Sequence, residues 1–583
     1  MSPKRTFGGS GTGWLTSGAP RTLSGGTKKV WLNGKVRASL DTSAPLVGAP
    51  AAGQAGHTGK GVTVAVLDTG IDGERPALHG KVANAKDFTG GGSPADKAGH
   101  GTHVASTIAG SGSKYRGIAP DARLAVGKMP GGNGEGQFDD LIAGMQWAAA
   151  EVKAKVVNMS VGGFPSDGTD PLSMTLNTLS RKHNTLFVVA AGEFGKHTVR
   201  TPASADAALA VGNITRAGQV NERSSTGPRL DDGAVKPEIS APGTGIVAAR
   251  AAGTGAGEEV EQHYVRKSGT SMAAPHVAGG AAILAGLHPG WSAERLKSAL
   301  VGSATPLPEA NVYYAVGSGK LDVHRAVTTA VRASTASVHT FLPWGGKPVQ
   351  EQEVTYENTG SAAVTLALDL KLASAKLSAT TVTVPANGNA KVRIAFGRGT
   401  PGEHGGVLSA STVDGKVVVR TPVSVAIEAE MYDLTPTMLD RGGKPGARGS
   451  VDVINLETGA RHRTGAGAKL RLPAGKYMIS AMITTGETSI TTVAFPEFTL
   501  TKTSTVTRDA RKANRVVVGT DRPSVRGGGV VTQVGARRPG YNTRPQMQLL
   551  FADPRLTALR RHRLGRQHRG ADDHPGLPDQ WVR

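Results

Sequence analysis

Between residues 62 and 287 the chain alternates short, largely apolar runs with longer stretches of helical spacing. Val62-Thr63-Val64-Ala65-Val66-Leu67, Val156-Val157-Asn158-Met159 and Leu186-Phe187-Val188-Val189-Ala190-Ala191 read as strands buried on both faces, as in a parallel sheet. Each run passes directly into Gly or a polar residue. Asp139 to Lys153 and Pro171 to His183 have the length and periodicity of helices. A helix of small residues runs from Met272 to about Leu287 and stops at His288-Pro289. This alternation predicts an α/β fold, a doubly wound parallel sheet, with its ligand crevice at the carboxyl ends of the strands.

From about residue 333 the pattern changes to alternating apolar and polar positions separated by turns. Gln352–Tyr356, Val364–Leu370, Thr381–Val384, Lys391–Phe396 and Val417–Ile427 predict an all-β sandwich-like module. Val451–Asn455, Lys469–Leu472, Lys476–Met482 and Thr488–Phe495 predict a second. The expected organisation is therefore a leading segment over 1–45, an α/β domain over 46–330, β modules over 333–430 and 431–515, and a tail over 516–583. Val30–Val36 is a candidate short strand within an otherwise linker-like start. The tail is Arg/Pro/His-rich with little periodicity, which predicts disorder.

Composition refines this picture in three places. A chain of 583 residues exceeds one hydrophobic core. The absence of Cys removes disulfide and thiolate chemistry. The net charge of +22 invites a nucleic-acid reading, but residues 501–583 hold 17 Lys and Arg against 6 Asp and Glu, half of the excess. Without an aromatic-interleaved basic patch, that reading rests on the tail alone. No apolar run is long enough to span a membrane, and the first 29 residues lack the apolar core of a signal peptide.

Three Gly-punctuated segments carry the candidate chemistry. Asp68 ends the first strand, where it fits either a turn cap or a group orienting a histidine; Asp72 fits the turn cap. His100 follows Gly99 at the entrance of a small-residue helix. His100 and His103 lack the carboxylate that a metal-binding pair would need. Ser271 follows Gly269-Thr270 at the start of its helix, where its backbone N–H is unpaired and able to hold an oxyanion. Pro275 is expected in the first turn, where its missing N–H costs little. Acid, base and hydroxyl are the parts that nucleophilic acyl transfer requires. The G-x-S-x-G elbow of α/β-hydrolases does not fit G-T-S-M-A.

With V-A-V-L-D-T-G-I-D at 64–72, H-G-T-H-V-A-S at 100–106 and G-T-S-M-A-A-P-H-V-A-G at 269–279, the chain resembles the subtilisin-like serine proteases, the subtilases, over about residues 45–330. G-I-A-P-D-A at 117–122, V-N-M-S-V-G-G at 157–163 and S-A-P-G at 240–243 add to the likeness. The resemblance implies a serine endopeptidase in which Asp68 orients, His100 is general base then acid, and Ser271 attacks the peptide carbonyl. Ser160, Val161 and Gly162 would wall the pocket for the side chain before the scissile bond, with Gly192 also at the substrate and medium or large apolar side chains accommodated. His103 and His276 would be packing residues. No cofactor is needed for the chemistry. Structural calcium is frequent in such enzymes, although Asp139, Asp140 and the other carboxylates show no diagnostic spacing. Secreted actinobacterial relatives imply an extracellular protein, with the end of a propeptide around 30–45 and appended β modules.

One position departs from the pattern. The family's A-A-G-N-x-G supplies an Asn amide to the oxyanion, whereas this chain has Glu193. A carboxylate only accepts hydrogen bonds when ionised, so it predicts a slow enzyme whose activity rises as pH falls until His100 protonates. It also supports a second reading, a degenerate subtilase that binds peptides or surfaces without turnover.

Overall fold

The computed structural model describes residues 40–129, 137–255, 257–308, 313–445, 448–486 and 489–513, and the backbone of 530–535 and 546–551. The α/β part contains α1 (Leu40–Leu46), α2 (Ala49–Gln54), β1 (Thr63–Asp68), β2 (Val82–Asp87), α3 (His100–Ala109), β3 (Arg123–Lys128), α4 (Phe138–Gln146), β4 (Val156–Met159), α5 (Pro171–His183), β5 (Leu186–Ala190), β6 (Leu209–Ile214), β7 (Ile239–Pro242), β8 (Ile246–Ala249), β9 (Glu258–Glu261), β10 (Tyr264–Lys267), α6 (Thr270–Leu287) and α7 (Ala293–Gly302). Seven strands form one sheet in the order β2-β3-β1-β4-β5-β6-β7, every pair parallel.

Successive strand side chains alternate between two cores, as pleating requires. Val64, Val66, Val156, Val188 and Val211 face one, together with α3 and α6; Ala65, Leu67, Val157, Met159, Phe187 and Val189 face the other, with Met145, Leu172 and Leu176. Helix α6 is buried on nearly all sides from Met272 to Ala285, which its Ala and Gly content permits. Leu67 pairs with Met159 and Met159 with Val189, so the carboxyl ends of β1, β4 and β5 lie side by side.

Several expectations change. Residues 40–45, read as linker, form α1, and Ala44 and Val47 enter the core beneath α6. Pro275 is the sixth residue of α6 and not in its first turn. The Ser271 carbonyl, four residues earlier, therefore loses its helical donor. Strands β2, β3, β6 and β7 complete the sheet beyond the runs singled out in the sequence. The candidate strand at 30–36 lies outside the described residues. Within the stretch read as a disordered tail, Val530–Gly535 and Gln546–Phe551 pair antiparallel.

The first β module packs with the α/β part as one unit ending at Ile427. Its sheets, of four and five strands, enclose Val354, Tyr356, Ile394, Phe396 and Val423. Arg325 donates to the Val418 carbonyl at 2.8 Å and Arg420 to that of Ser318 at 2.7 Å, joining the two parts. Residues from Glu428 onward, with Pro343–Gly345, form a second unit, whose β sheets of three and four strands enclose Leu434, Val451, Tyr477 and Ile479. No helix among the described residues is long and apolar enough to cross a membrane.

Candidate active site

Asp68 is the last residue of β1 and is fully buried. Its Oδ1 accepts from the Thr69 amide at 2.8 Å and from His100 Nδ1 at 2.7 Å. Since the carboxylate only accepts, Nδ1 carries the proton and Nε2 is left as the basic nitrogen. Asp68 Oδ2 is buried with no hydrogen-bond partner, so positive charge on the imidazole stabilises this carboxylate. Burial opposes protonation of His100, but the Asp68 carboxylate more than offsets this, and the imidazole pKa lies above its ordinary value.

Close backbone approach makes this pairing possible. Helix α3 starts at His100, and a Cβ on Gly101 would meet the Gly70 carbonyl oxygen at 2.2 Å. Only glycine lets the helix end sit against the loop after β1. Asp96, which the sequence reading passed over, ties the two segments together. Its carboxylate accepts from Thr69 Oγ1 (2.8 Å), the amides of Ala98, Gly99 and Thr102 (3.0, 2.7 and 2.9 Å) and Thr102 Oγ1 (2.7 Å). It thereby caps the start of α3 and fixes the residue that follows Asp68. An acidic residue three positions before Gly99 was the available signal.

Ser271 is the second residue of α6, so its N–H has no acceptor within the helix. It is anchored to Ser160, the residue after β4. Ser160 Oγ donates to the Ser271 carbonyl at 2.9 Å, replacing the donor that Pro275 lacks. In return Ser271 Oγ donates to the Ser160 carbonyl at 3.2 Å, and Asn158 Nδ2 donates to Ser160 Oγ at 3.1 Å. Among the described residues no hydrogen bond joins Ser271 to His100; nucleophile–base contacts often tighten only with substrate bound. Asp68, His100 and Ser271 thus converge on the carboxyl edge of adjacent strands β1 and β4.

Glu193 reaches the same helix end. Its Oε1 accepts from the Thr270 amide, while Thr270 Oγ1 accepts from the Gly192 amide at 3.2 Å. The carboxylate sits at the positive end of the α6 dipole, a favourable place for a negative charge. Val161 and Gly162 continue from Ser160, and Gly162 lies against the Thr201 carbonyl and Arg200.

The remaining singled-out residues are structural. His103 Nε2 donates to the Ile246 carbonyl at 3.1 Å, and burial pushes its pKa down to about 3. His276 Nδ1 donates to the Met272 carbonyl and its Nε2 accepts from Ser43 Oγ at 2.8 Å; burial pushes it to about 4. Asp72 accepts from the amides of Glu74 and Ala252, as a turn cap should, and forms an ion pair with Arg75. Asp139 and Asp140 lie in the first turn of α4, and among the described residues no three His, Asp or Glu cluster to hold a metal ion.

Residues 59–319 match the model of the subtilase family, peptidase family S8. Over 286 residues the chain is 35% identical to a subtilisin of Bacillus pumilus, covering 48% of this chain and 95% of that protein. It is 35% identical to subtilisin BL of Lederbergia lenta over 48% of this chain and 96% of the relative. It is also 36% identical to the major intracellular serine protease of Bacillus subtilis, over 41% of this chain and 73% of the relative.

Proposed function

Because the chain belongs to the subtilase family, we propose that it is a serine endopeptidase working through Asp68, His100 and Ser271 and an acyl-enzyme intermediate. The observation that carries this reading is the 2.7 Å contact between buried Asp68 and His100, set at the strand ends beside the helix start that holds Ser271. Ser271 Oγ attacks the scissile carbonyl carbon while its proton passes to His100 Nε2. Asp68 holds the imidazole in the tautomer that leaves Nε2 free and stabilises the imidazolium that forms. The imidazolium then protonates the departing amine. Water, deprotonated by the same nitrogen, hydrolyses the acyl ester and returns Ser271.

The developing oxyanion has the Ser271 N–H and the α6 dipole to stabilise it. At position 193 it meets a carboxylate in place of a donor. Losing one such donor lowers turnover by roughly 10²–10³-fold, a figure measured on subtilisin itself. The hydrogen bond from Thr270 turns Glu193 Oε1 toward the helix backbone, which moderates the repulsion without supplying a donor. Glu193 is also the observation favouring the second reading, a subtilase that binds peptides without turnover.

Protein or peptide substrates would bind along Ser160, Val161 and Gly162 on one side and Gly192 on the other, pairing backbone to backbone as an added strand. By family likeness the setting is extracellular. Labelling by a fluorophosphonate probe tests the proposal: Ser271 is expected to be modified, with peptide hydrolysis and labelling both abolished in Ser271→Ala. Hydrolysis that survives Ser271→Ala would refute the assignment, and an unlabelled, inactive parent would favour the binding reading.

A further inference from the structure

The segment Val199-Arg200-Thr201 lies between the two walls proposed for the substrate pocket. The Arg200 amide donates to the Ala191 carbonyl at 3.1 Å, on one wall. The Thr201 amide donates to the Phe164 carbonyl at 2.9 Å and the Thr201 carbonyl accepts from the Gly163 amide at 2.8 Å, on the other. The Arg200 side chain bridges the same gap. Its Cγ and Cδ lie against Gly192, where an added Cβ would meet them at 3.0 and 2.9 Å. Its Nε donates to the Gly163 carbonyl. One face of the guanidinium covers the Phe194 ring, 4.1 Å from its centroid. Burial lowers the Arg200 pKa from its ordinary value, though the guanidinium stays charged at any physiological pH.

What this charge lacks is a counter-ion. Among the described residues no carboxylate pairs with Arg200, and its two terminal nitrogens have no protein acceptor. Several other arginines of the same unit are matched by carboxylates, Arg229 by Asp206 and Asp232, Arg250 by Glu259 and Arg266 by Glu258, whereas Arg325 and Arg420 spend terminal or Nε donors on backbone carbonyls. The acidic groups that flank it in sequence are engaged elsewhere: Glu193 accepts from the Thr270 amide and Asp206 pairs with Arg229. A planar fork whose terminal Nη1–Nη2 edge is free, held by its stem, its Nε and one face, fits a carboxylate bidentately.

We propose that Arg200 sets the specificity of this site, so that the pocket takes an acidic side chain, Asp or Glu, immediately before the scissile bond. The guanidinium fills space that the glycine-bearing walls would otherwise leave for a large apolar group, and a substrate carboxylate supplies the missing partner. This rests on the protease reading above and replaces the apolar preference expected from the walls alone.

The test uses succinyl-Ala-Ala-Pro-Xaa p-nitroanilides with Glu, Asp, Phe, Leu or Lys at the last position. The full chain is expected to hydrolyse the Glu or Asp substrate with kcat/KM about tenfold or more above Phe, one charge-assisted pair being enough for that. Lys should be the slowest. Arg200→Lys should keep the acidic preference, and Arg200→Gly should reverse it toward Phe. A parent that prefers Phe or Leu, or a preference unmoved by Arg200→Gly, overturns the proposal. A second measurement is independent of turnover. Ser271→Ala should bind succinyl-Ala-Ala-Pro-Glu-amide more tightly than the Phe peptide by calorimetry, and equal affinities would overturn the pocket assignment. If no substrate is hydrolysed while that affinity difference holds, the protease reading fails and the acidic pocket stands.

Discussion

The two sides of the site are built differently. On the base side, Asp68, Asp96, Thr69, Thr102 and the start of α3 form a dense network, five of whose hydrogen bonds end on Asp96 alone. On the side proposed for the oxyanion and the pocket, Glu193 places a carboxylate at the start of α6, and Arg200 places a cation without a carboxylate partner between glycine walls. The contrast teaches that proton transfer and transition-state stabilisation are separable parts of one fold. The first depends on distances held by β1 and α3, the second on what the loop after β5 presents. On the proposed mechanism this chain would keep the first and alter the second.

Disabling the base side should produce the largest effect. Asp68→Asn keeps the shape but donates toward His100, favouring the wrong tautomer, and kcat should fall roughly 10⁴-fold with KM little changed. Steady-state kinetics on any cleaved peptide checks it; a loss below tenfold would mean that Asp68 does not orient the base.

A smaller effect is expected where the two sides meet. Ser160→Ala removes the donor to the Ser271 carbonyl that Pro275 leaves free, costing about 1 kcal/mol of alignment, or roughly fivefold in kcat. Activity equal to the parent's would show that the reciprocal Ser160–Ser271 pair does not position the nucleophile.

The subtlest effect is in pH. His100 must be neutral to act as base, and its pKa is raised by Asp68, so activity should be lost on acidification with a midpoint above about 6.5. The linkage to stability has the opposite sign. A histidine with a raised folded pKa contributes stability that is fully present below about 6.5 and is lost as pH rises through the folded pKa. The Tm difference between parent and His100→Ala should therefore shrink toward alkaline pH. An acid limb with its midpoint below 6 would contradict the Asp68–His100 coupling.

Local patterns carried most of the fold into the sequence. Largely apolar runs mark β1, β4 and β5 because both faces of the sheet are covered, and α5 spans the residues its periodicity and its Asp170 cap require. Asp68, His100 and Ser271 were legible because each stands in a segment whose glycines are themselves diagnostic. What the sequence hid depends on distant partners. Nothing near Asp96 announces Thr69, and nothing near Arg200 announces Gly163 and Gly192, some 37 residues and 8 residues away along the chain. Pro275 was placed one turn too early because the start of α6 was judged from Ser271 alone. The role of residues 40–45 was missed because a small amphipathic helix under α6 looks like linker until its partner is known.

The separation of the two sides is tested most directly by the rate at which a fluorophosphonate modifies Ser271 in the parent and in Glu193→Asn. An intact base beside a missing oxyanion donor predicts slow labelling of the parent and a gain of roughly 10²-fold or more in Glu193→Asn. Equal rates in the two proteins would contradict the account, since Glu193 would then have no bearing on the developing negative charge.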